Sequence, residues 1–235
     1  MKSSNKNKNT KNGKNGDKSR AVGEAFDAIK NMLYYKELAP GQRLVYGDLA
    51  KKLNMSLTPV IQALNKLEYS ELVIYEPHKG YFVGQITEKE VKEIYQAREA
   101  LEVSIIPSII QNINKKDLNL IRKFIADYEK SLTNMETRQL NLLKDMQFHI
   151  KLAEFSRQDV IQKVLRNLFE RICLKYRPEY LGDERIINAI KEHRRILKAF
   201  ETKDIEEAIA AVKHHNRSGA EYIIGSLERS KTSFF

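Results

Sequence analysis

Between Asp48 and Leu67 the chain reads DLAKKLNMSLTPVIQALNKL, two helical patterns separated by a short break. In the first, Leu49, Ala50 and Leu53 fall on one helical face, and the small Ala50 lets a second helix cross closely. Asn54, Met55 and Ser56 make the turn. Ser56 is a good N-cap, and Pro59 stands in the first turn of the next helix, where its missing N–H costs nothing. Val60, Ala63, Leu64 and Leu67 give that helix its buried stripe, and the opposite face carries Leu57, Thr58, Ile61, Gln62, Asn65 and Lys66. The pattern is a helix-turn-helix.

Ordinary pairs of core helices also match such a pattern, so the flanks decide its meaning. Upstream, Phe26, Ile29, Leu33 and Leu38 repeat at helical spacing, and Pro40-Gly41 breaks the helix before Arg43 and Leu44. Downstream, Leu72 to Tyr75 and Gly80 to Val83 are short β-rich runs around Glu76-Pro77-His78-Lys79, which predict a two-stranded wing. Residues 21–84 therefore predict a winged helix-turn-helix domain. The runs PGQRL, DLAKKLNMSLTPVIQAL, LE, LV and GYFV, in this order and spacing, resemble the DNA-binding domain of the GntR family of bacterial transcription regulators. The resemblance implies double-stranded operator DNA as a partner, met by Arg43, by Thr58, Gln62 and Lys66 on the recognition helix, and by His78, Lys79 and Gly80 on the wing. Lys51 and Lys52 join Lys66 and Lys79 around the same element as a phosphate-contacting group.

One departure bears on specificity. The family's recognition helix usually begins Ser-Arg-Thr-Pro-Val-Arg-Glu-Ala-Leu, with two DNA-contacting arginines, and this sequence has Leu57 and Ile61 at those places. Two readings stay open. Leu57 and Ile61 pack on thymine methyl groups and alter the specificity, or they form an apolar patch that docks on protein while DNA binding is weakened or lost.

A length of 235 residues with 42% hydrophobic residues permits two modest domains. The longest apolar stretches, such as Val103 to Ile110, are short and interrupted by Ser104, Pro107 and Ser108, so no membrane span is expected. The N-terminus lacks the apolar core of a signal peptide, and the single Cys173 has no internal disulfide partner, which together predict a cytoplasmic protein. Cys173 itself reads as a small core or interface residue. Residues 1–20 are a low-complexity run of Lys, Asn, Ser and Gly, expected to be a disordered basic tail. Six Lys and Arg20 against Asp17 give it +6 of the chain's +10. The basic balance is therefore mostly tail, either a solvated leader or a source of salt-sensitive, sequence-independent attraction to DNA.

After Val83 the strand signals stop. Thr87 and Glu90 form a capping box opening a helix to about Ile106, which Pro107 ends or kinks. Further helices are predicted over Lys115–Leu132, Glu136–Phe155, Gln158–Tyr176, Asp183–Phe200 and Asp204–Leu227. The chain is thus expected to be mainly α, with residues 87–230 an all-α six-helix bundle. Asp145 and His149 are four apart and share a face with Leu142 and Leu152. His193 lies on the stripe Ile186, Ile190, Leu197 and Phe200, and His215 on Ala208, Val212, Gly219 and Tyr222. A lone histidine on such a face is usually a hydrogen-bonded core residue. Three of five histidines so placed, one paired with Asp, point to a metal site instead. One Asp and three imidazoles suit a divalent Zn, Ni, Mn or Fe ion and leave coordination positions open. Arg98, in line with Val91, Ile94, Leu101 and Ile105, faces inward, to fork onto a carboxylate effector or to pair with Glu99 or Glu102.

Here the resemblance extends to the second domain. Tyr95 to Glu102, the Asp145 and His149 pair, Glu192-His193, and Asp204 with Ala208 before His215 resemble the ligand-binding FCD domain of the FadR subfamily, in its six-helix VanR-type branch. It implies that Asp145, His149, His193 and His215 hold a divalent metal, that the metal helps bind a small organic or sugar acid, and that the regulator is a homodimeric repressor. No phosphate-cradling Gly-rich loop, nucleophile elbow or Cys-His arrangement is present, and no further acid stands at a spacing suited to a general base, so no enzyme activity is expected.

Overall fold

The computed structural model describes residues 10–133 and 138–232. They form two compact units, Met1–Gly84 and Gln85–Phe235. In the first, α1 (Thr10–Tyr34) leads to β1 (Arg43–Leu44), α2 (Tyr46–Lys52), α3 (Leu57–Tyr69), β2 (Val73–Glu76) and β3 (Gly80–Val83). The anticipated stripes meet in one core: Ile29 and Leu33 of α1, Leu49 and Ala50 of α2, and Val60, Ala63, Leu64 and Leu67 of α3 are all buried. Asn54 makes the turn between α2 and α3 at φ 51, a left-handed conformation that Asn tolerates better than most residues.

The wing has three strands rather than two, in the antiparallel order β1-β3-β2. The extra strand follows from the break at Pro40-Gly41. Gly41, at φ 83, lets its N–H donate to the Val83 carbonyl at 3.0 Å while the Val83 N–H donates to Gln42 at 2.8 Å, so Arg43 and Leu44 fall into register with Phe82 and Tyr81. The expectation of a disordered leader through Arg20 also needs correction, because α1 begins at Thr10. Once the amphipathic stretch from Ala21 onward has formed helix, each added residue gains a hydrogen bond without a new nucleation cost. Residues 1–9 lie outside the described residues.

The second unit runs α4 (Glu88–Asn112), α5 (Lys115–Thr133), α6 (Arg138–Phe155), α7 (Asp159–Lys175), a 3-10 turn (Pro178–Tyr180), α8 (Asp183–Thr202) and α9 (Ile205–Thr232). The predicted start of α6 at Glu136 lies outside the described residues. Helix α6 packs against α4, α5 and α7, and α9 packs against α4 and α8. Burial on several sides explains why α6 carries no clean apolar stripe and why Gln139, Asn141 and His149 point inward alongside Met146, Phe148 and Leu152. Helix α4 does not stop near Ile106; it continues through Pro107 to Asn112. The proline lies on the exposed face, and Ile105, Ile106, Ile109 and Ile110 anchor both sides of it in the core.

The capping box is half formed. Thr87 Oγ1 accepts the Glu90 N–H at 3.2 Å, but the Glu90 carboxylate turns to Lys175 Nζ at 2.7 Å and Arg171 Nη2 at 2.8 Å. Charge-assisted bonds to two cations outweigh a return bond to one neutral N–H. Thr87→Ala is expected to cost about 1 kcal/mol of this unit's stability. An unmoved urea transition would show the cap to be idle.

Candidate metal centre and nucleic-acid interface

Three helices of the second unit deliver the four ligand-type side chains. Asp145 and His149 come from α6, His193 from α8 and His215 from α9, and one ligand atom from each lies within 4.8 Å of every other. The three imidazoles are buried, while Asp145 keeps 23% of its side chain exposed. Phe148 stacks on His193 with centroids 3.9 Å apart, and Phe169 of α7 stacks on His149 at 5.0 Å, so packing fixes both rings.

The outer nitrogens determine what the inner ones offer. His149 Nδ1 meets Glu102 Oε2 at 2.6 Å, and His215 Nδ1 meets Glu192 Oε2 at 2.7 Å. An ionised carboxylate only accepts, so each Nδ1 carries the hydrogen and each Nε2 keeps its lone pair. Yet the two Nε2 atoms face each other at 2.9 Å. Two lone pairs at that distance repel unless a cation lies between them or one ring is protonated. His193 Nε2, fully buried, stands 3.3 Å from Asp145 Oδ1 without a well-directed hydrogen bond. A donor set brought this close together, with the outer nitrogens of His149 and His215 tied to carboxylates, fits a divalent metal.

Electrostatics favours the protonation states that such an ion needs. Burial pushes His193 down to about 4, against the pull of Asp145, and burial with the neighbouring imidazoles lowers His215 well below its ordinary value. Burial alone raises the Asp145 carboxyl, but the close approach of His193, with His149 and His215 beside it, outweighs this and holds it well below the usual range. Glu102, likewise buried, is held at about 2 by His149 and Arg98. A pH dependence follows for the chelated protein. Between pH 6.5 and 4 the unfolded chain takes up a proton at His193 and the folded chain does not. Stability therefore rises with pH across this window, and acidification removes on the order of 3 kcal/mol. A urea midpoint that stays flat from neutral pH to about 5 would contradict the burial of a neutral His193.

Arg98 faces inward, as its spacing requires, but it stands behind the site. Its Nε donates to Glu102 Oε1 at 3.0 Å, and its guanidinium lies 3.8 Å over the Phe169 ring and 4.6 Å over Tyr95. It fulfils the ion-pair alternative. The cavity beside Asp145 and His215 is lined instead by Tyr95, Tyr128, Arg185, Gly219 and Tyr222, and has a volume of about 30 Å3. A Cβ at Gly219 would sit 3.0 Å from Cε1 of Tyr95, so a larger residue there would press on that ring. Arg185 Nη1 donates to Glu192 Oε2 at 2.9 Å, and Ser218 Oγ to Glu192 Oε1 at 3.0 Å. Sequence reasoning missed Arg185, Glu192 and Glu102 as supports of the site. Glu102 was visible as the i+4 neighbour of Arg98, and Arg185 lies two turns before His193 on α8. Nothing in the sequence connects Glu192 with a histidine on the next helix.

In the first unit the recognition face of α3 is open. Thr58, Gln62 and Lys66 are exposed, Leu57 is 48% exposed and Ile61 is half-buried. Asn65 is occupied, accepting a hydrogen bond from the Tyr81 hydroxyl of the wing. Arg43 is exposed on β1, and exposed His78 at φ 64 and Lys79, with half-buried Gly80 at φ 95, form the tip of the wing. Three of the lysines in the anticipated cluster face acids: Lys52 lies 2.7 Å from Glu37, Lys79 2.9 Å from Glu76 and Lys51 4.0 Å from Asp48. Exposed pairs of this kind yield readily to phosphate.

Comparison with known proteins matches residues 21–83 to the family described as bacterial regulatory proteins, gntR family, and residues 93–218 to the FCD domain. YdhC of Bacillus subtilis, an uncharacterized HTH-type transcriptional regulator, is 27% identical over 207 residues, covering 88% of this chain and 92% of its own. The solved structure of McbR/YncC from Escherichia coli superposes with a TM-score of 0.76 at 20% identity, over 88% of this chain and 98% of that one. A GntR regulator from Rhodococcus sp. RHA1 gives a TM-score of 0.72 at 21% identity, over 89% and 98%. At these identities the two structures speak for the fold alone. Among the described residues, no helix is long and apolar enough to cross a membrane.

Proposed function

Because the chain belongs to the GntR family, with that family's DNA-binding domain at residues 21–83 ahead of an FCD domain at 93–218, we propose that it is a metal-dependent, acid-responsive repressor. The chain is a DNA-binding transcription regulator and not an enzyme. The metal reading rests on one observation, the convergence of Asp145, His149, His193 and His215 with the Nδ1 atoms of His149 and His215 already held by carboxylates. Those four residues would hold a Zn, Ni, Mn or Fe ion, which would supply a Lewis-acid centre for an anionic oxygen. The effector is a small organic or sugar acid. Arg185, which lines the cavity, is better placed than Arg98 to receive its carboxylate. A cavity of about 30 Å3 holds about one water, so the acid enters by displacing the tyrosines that wall it.

The regulator works in the cytoplasm as a homodimer whose paired α3 helices read half-sites of a near-palindromic operator, using Arg43, Thr58, Gln62, Lys66 and the wing residues His78, Lys79 and Gly80. The acid shifts the balance between DNA-competent and incompetent states by its differential affinity for the two, and lowers operator affinity. Binding of the purified protein to its own upstream DNA and to a scrambled duplex, across a salt series and with a panel of organic acids, tests this reading. Selective binding relieved by one acid, only in metal-loaded protein, is the expected result. Equal, weak binding to both duplexes would instead favour the docking of Leu57 on a protein, which its exposure permits.

A further inference from the structure

Helices α4 and α9 run antiparallel, with Arg217 bound to Glu99 and Lys92 near Glu228. Between them lies an open groove of about 570 Å3, a volume in the range of small-molecule sites. Ala100, Val103, Ala220 and the Tyr95 ring give it apolar walls. Tyr95 also lines the cavity beside the metal centre, so one ring stands between the two spaces, yet none of the four metal ligands lines the groove.

Two polar groups of this groove are left over. Asn216 lines it while only 1% exposed; its Nδ2 donates to the Val212 carbonyl at 3.3 Å, but its Oδ1 has no hydrogen-bond partner among the protein atoms. A stranded buried acceptor costs folding free energy, which a leucine of similar size would not. The second group is Lys213. Among the groove's charged side chains, Arg217 holds Glu99 through contacts of 2.9 and 3.0 Å and Lys92 holds Glu88 at 2.6 Å, whereas half-buried Lys213 makes no ion pair with the described residues. One cation and one acceptor thus stand three residues apart on α9, about 4.5 Å along its axis, with Ala220 about a turn beyond. We propose that the groove is a second ligand site, independent of the metal, for a small amphipathic acid of the N-acylated amino acid class. The carboxylate meets Lys213 Nζ, the amide N–H donates to Asn216 Oδ1 past the exposed rim residue Gln96, and the acyl body lies along Ala220 against Tyr95. One carbon separates the carboxylate from the amide nitrogen in such a compound, a spacing that the flexible lysine stem can serve. The site goes beyond the effector proposed at the metal, since it takes a ligand of different chemistry and shares no polar contact with that centre.

Calorimetric titration of the full chain with N-hexanoylglycine, in metal-loaded and in chelated protein, tests the site. Saturable binding of one molecule per chain, equal in both, is expected. Lys213→Gln and Asn216→Leu should each weaken it about tenfold or more, as should exchanging the probe for its methyl ester, which lacks the charge, or for nonanoate, which lacks the N–H. Ala100→Phe fills the groove from an exposed position and should abolish binding, while Lys123→Gln, which removes a charge from α5, should bind as wild type does. Asn216→Leu should also unfold at no lower urea concentration than wild type, because it removes an unsatisfied acceptor; lower stability with unchanged binding would make Asn216 a structural residue and overturn the proposal. Binding confined to metal-loaded protein, or undiminished in Ala100→Phe, overturns it too. So does the absence of saturable binding, and if Ala100→Phe then turns a dimer into a monomer, the groove belongs to a second copy of the chain. None of these results depends on DNA binding or on acid bound at the metal, so the site and the regulatory reading fail separately.

Discussion

His193→Ala is expected to lower divalent metal affinity by more than the 10- to 100-fold that typically follows loss of a metal site's outer partner, because it removes a ligand outright. His193 Nε2 lies 3.3 Å from Asp145 and has no well-directed hydrogen bond among the protein atoms, so it has no other evident use. Alanine also leaves Phe148 without its stacking partner, and the lost packing needs separate control. His193→Phe supplies it, keeping an aromatic ring against Phe148 without a nitrogen. Both variants should purify with little metal and lose any acid response, while the winged unit, a separate compact unit, stays folded. Metal content equal to wild type in both would refute the assignment.

Arg98→Met is expected to destabilise the helical unit by about 3–5 kcal/mol, the usual cost of leaving one member of a buried ion pair alone. The Arg98 and Glu102 side chains are 1% and 7% exposed, and Glu102 also holds His149 Nδ1 at 2.6 Å. Without the guanidinium, Glu102 is driven toward its protonated form and His149 loses the anion that orients it. The variant should therefore bind metal more weakly as well as unfold at lower urea. Arg98→Lys keeps the charge but cannot reproduce the flat stack on Phe169, and should fall between the two. A loss of stability below about 1 kcal/mol in Arg98→Met would show that the pair is solvated and exerts no hold on the centre.

Much of this protein is determined locally, by patterns that need no partner. The stripes Leu49-Ala50 and Val60-Ala63-Leu64-Leu67, the break at Pro40-Gly41 and the two β-rich runs define the winged helix because each is a short-range consequence of period or backbone restriction. The same holds for the four ligand candidates. Asp145 and His149 lie one turn apart on one helix, and His193 and His215 each sit on an apolar stripe that must turn inward. What the sequence left open depended on which helices become neighbours. Whether Arg98 would meet an effector or Glu102, which carboxylates would hold His149 and His215, and that Arg185 would line the cavity were decided when α4, α6, α8 and α9 packed together. Glu90 shows the same contest within a single residue. Local spacing assigns it to a capping box, but two cations of α7 take its carboxylate, because a charge-assisted bond made in the packed unit is stronger than a neutral one made along the chain. Periodicity thus determined which faces are buried, while the partners of each buried charge were set by tertiary neighbours, since a charge removed from water must be satisfied by whatever the packing brings to it.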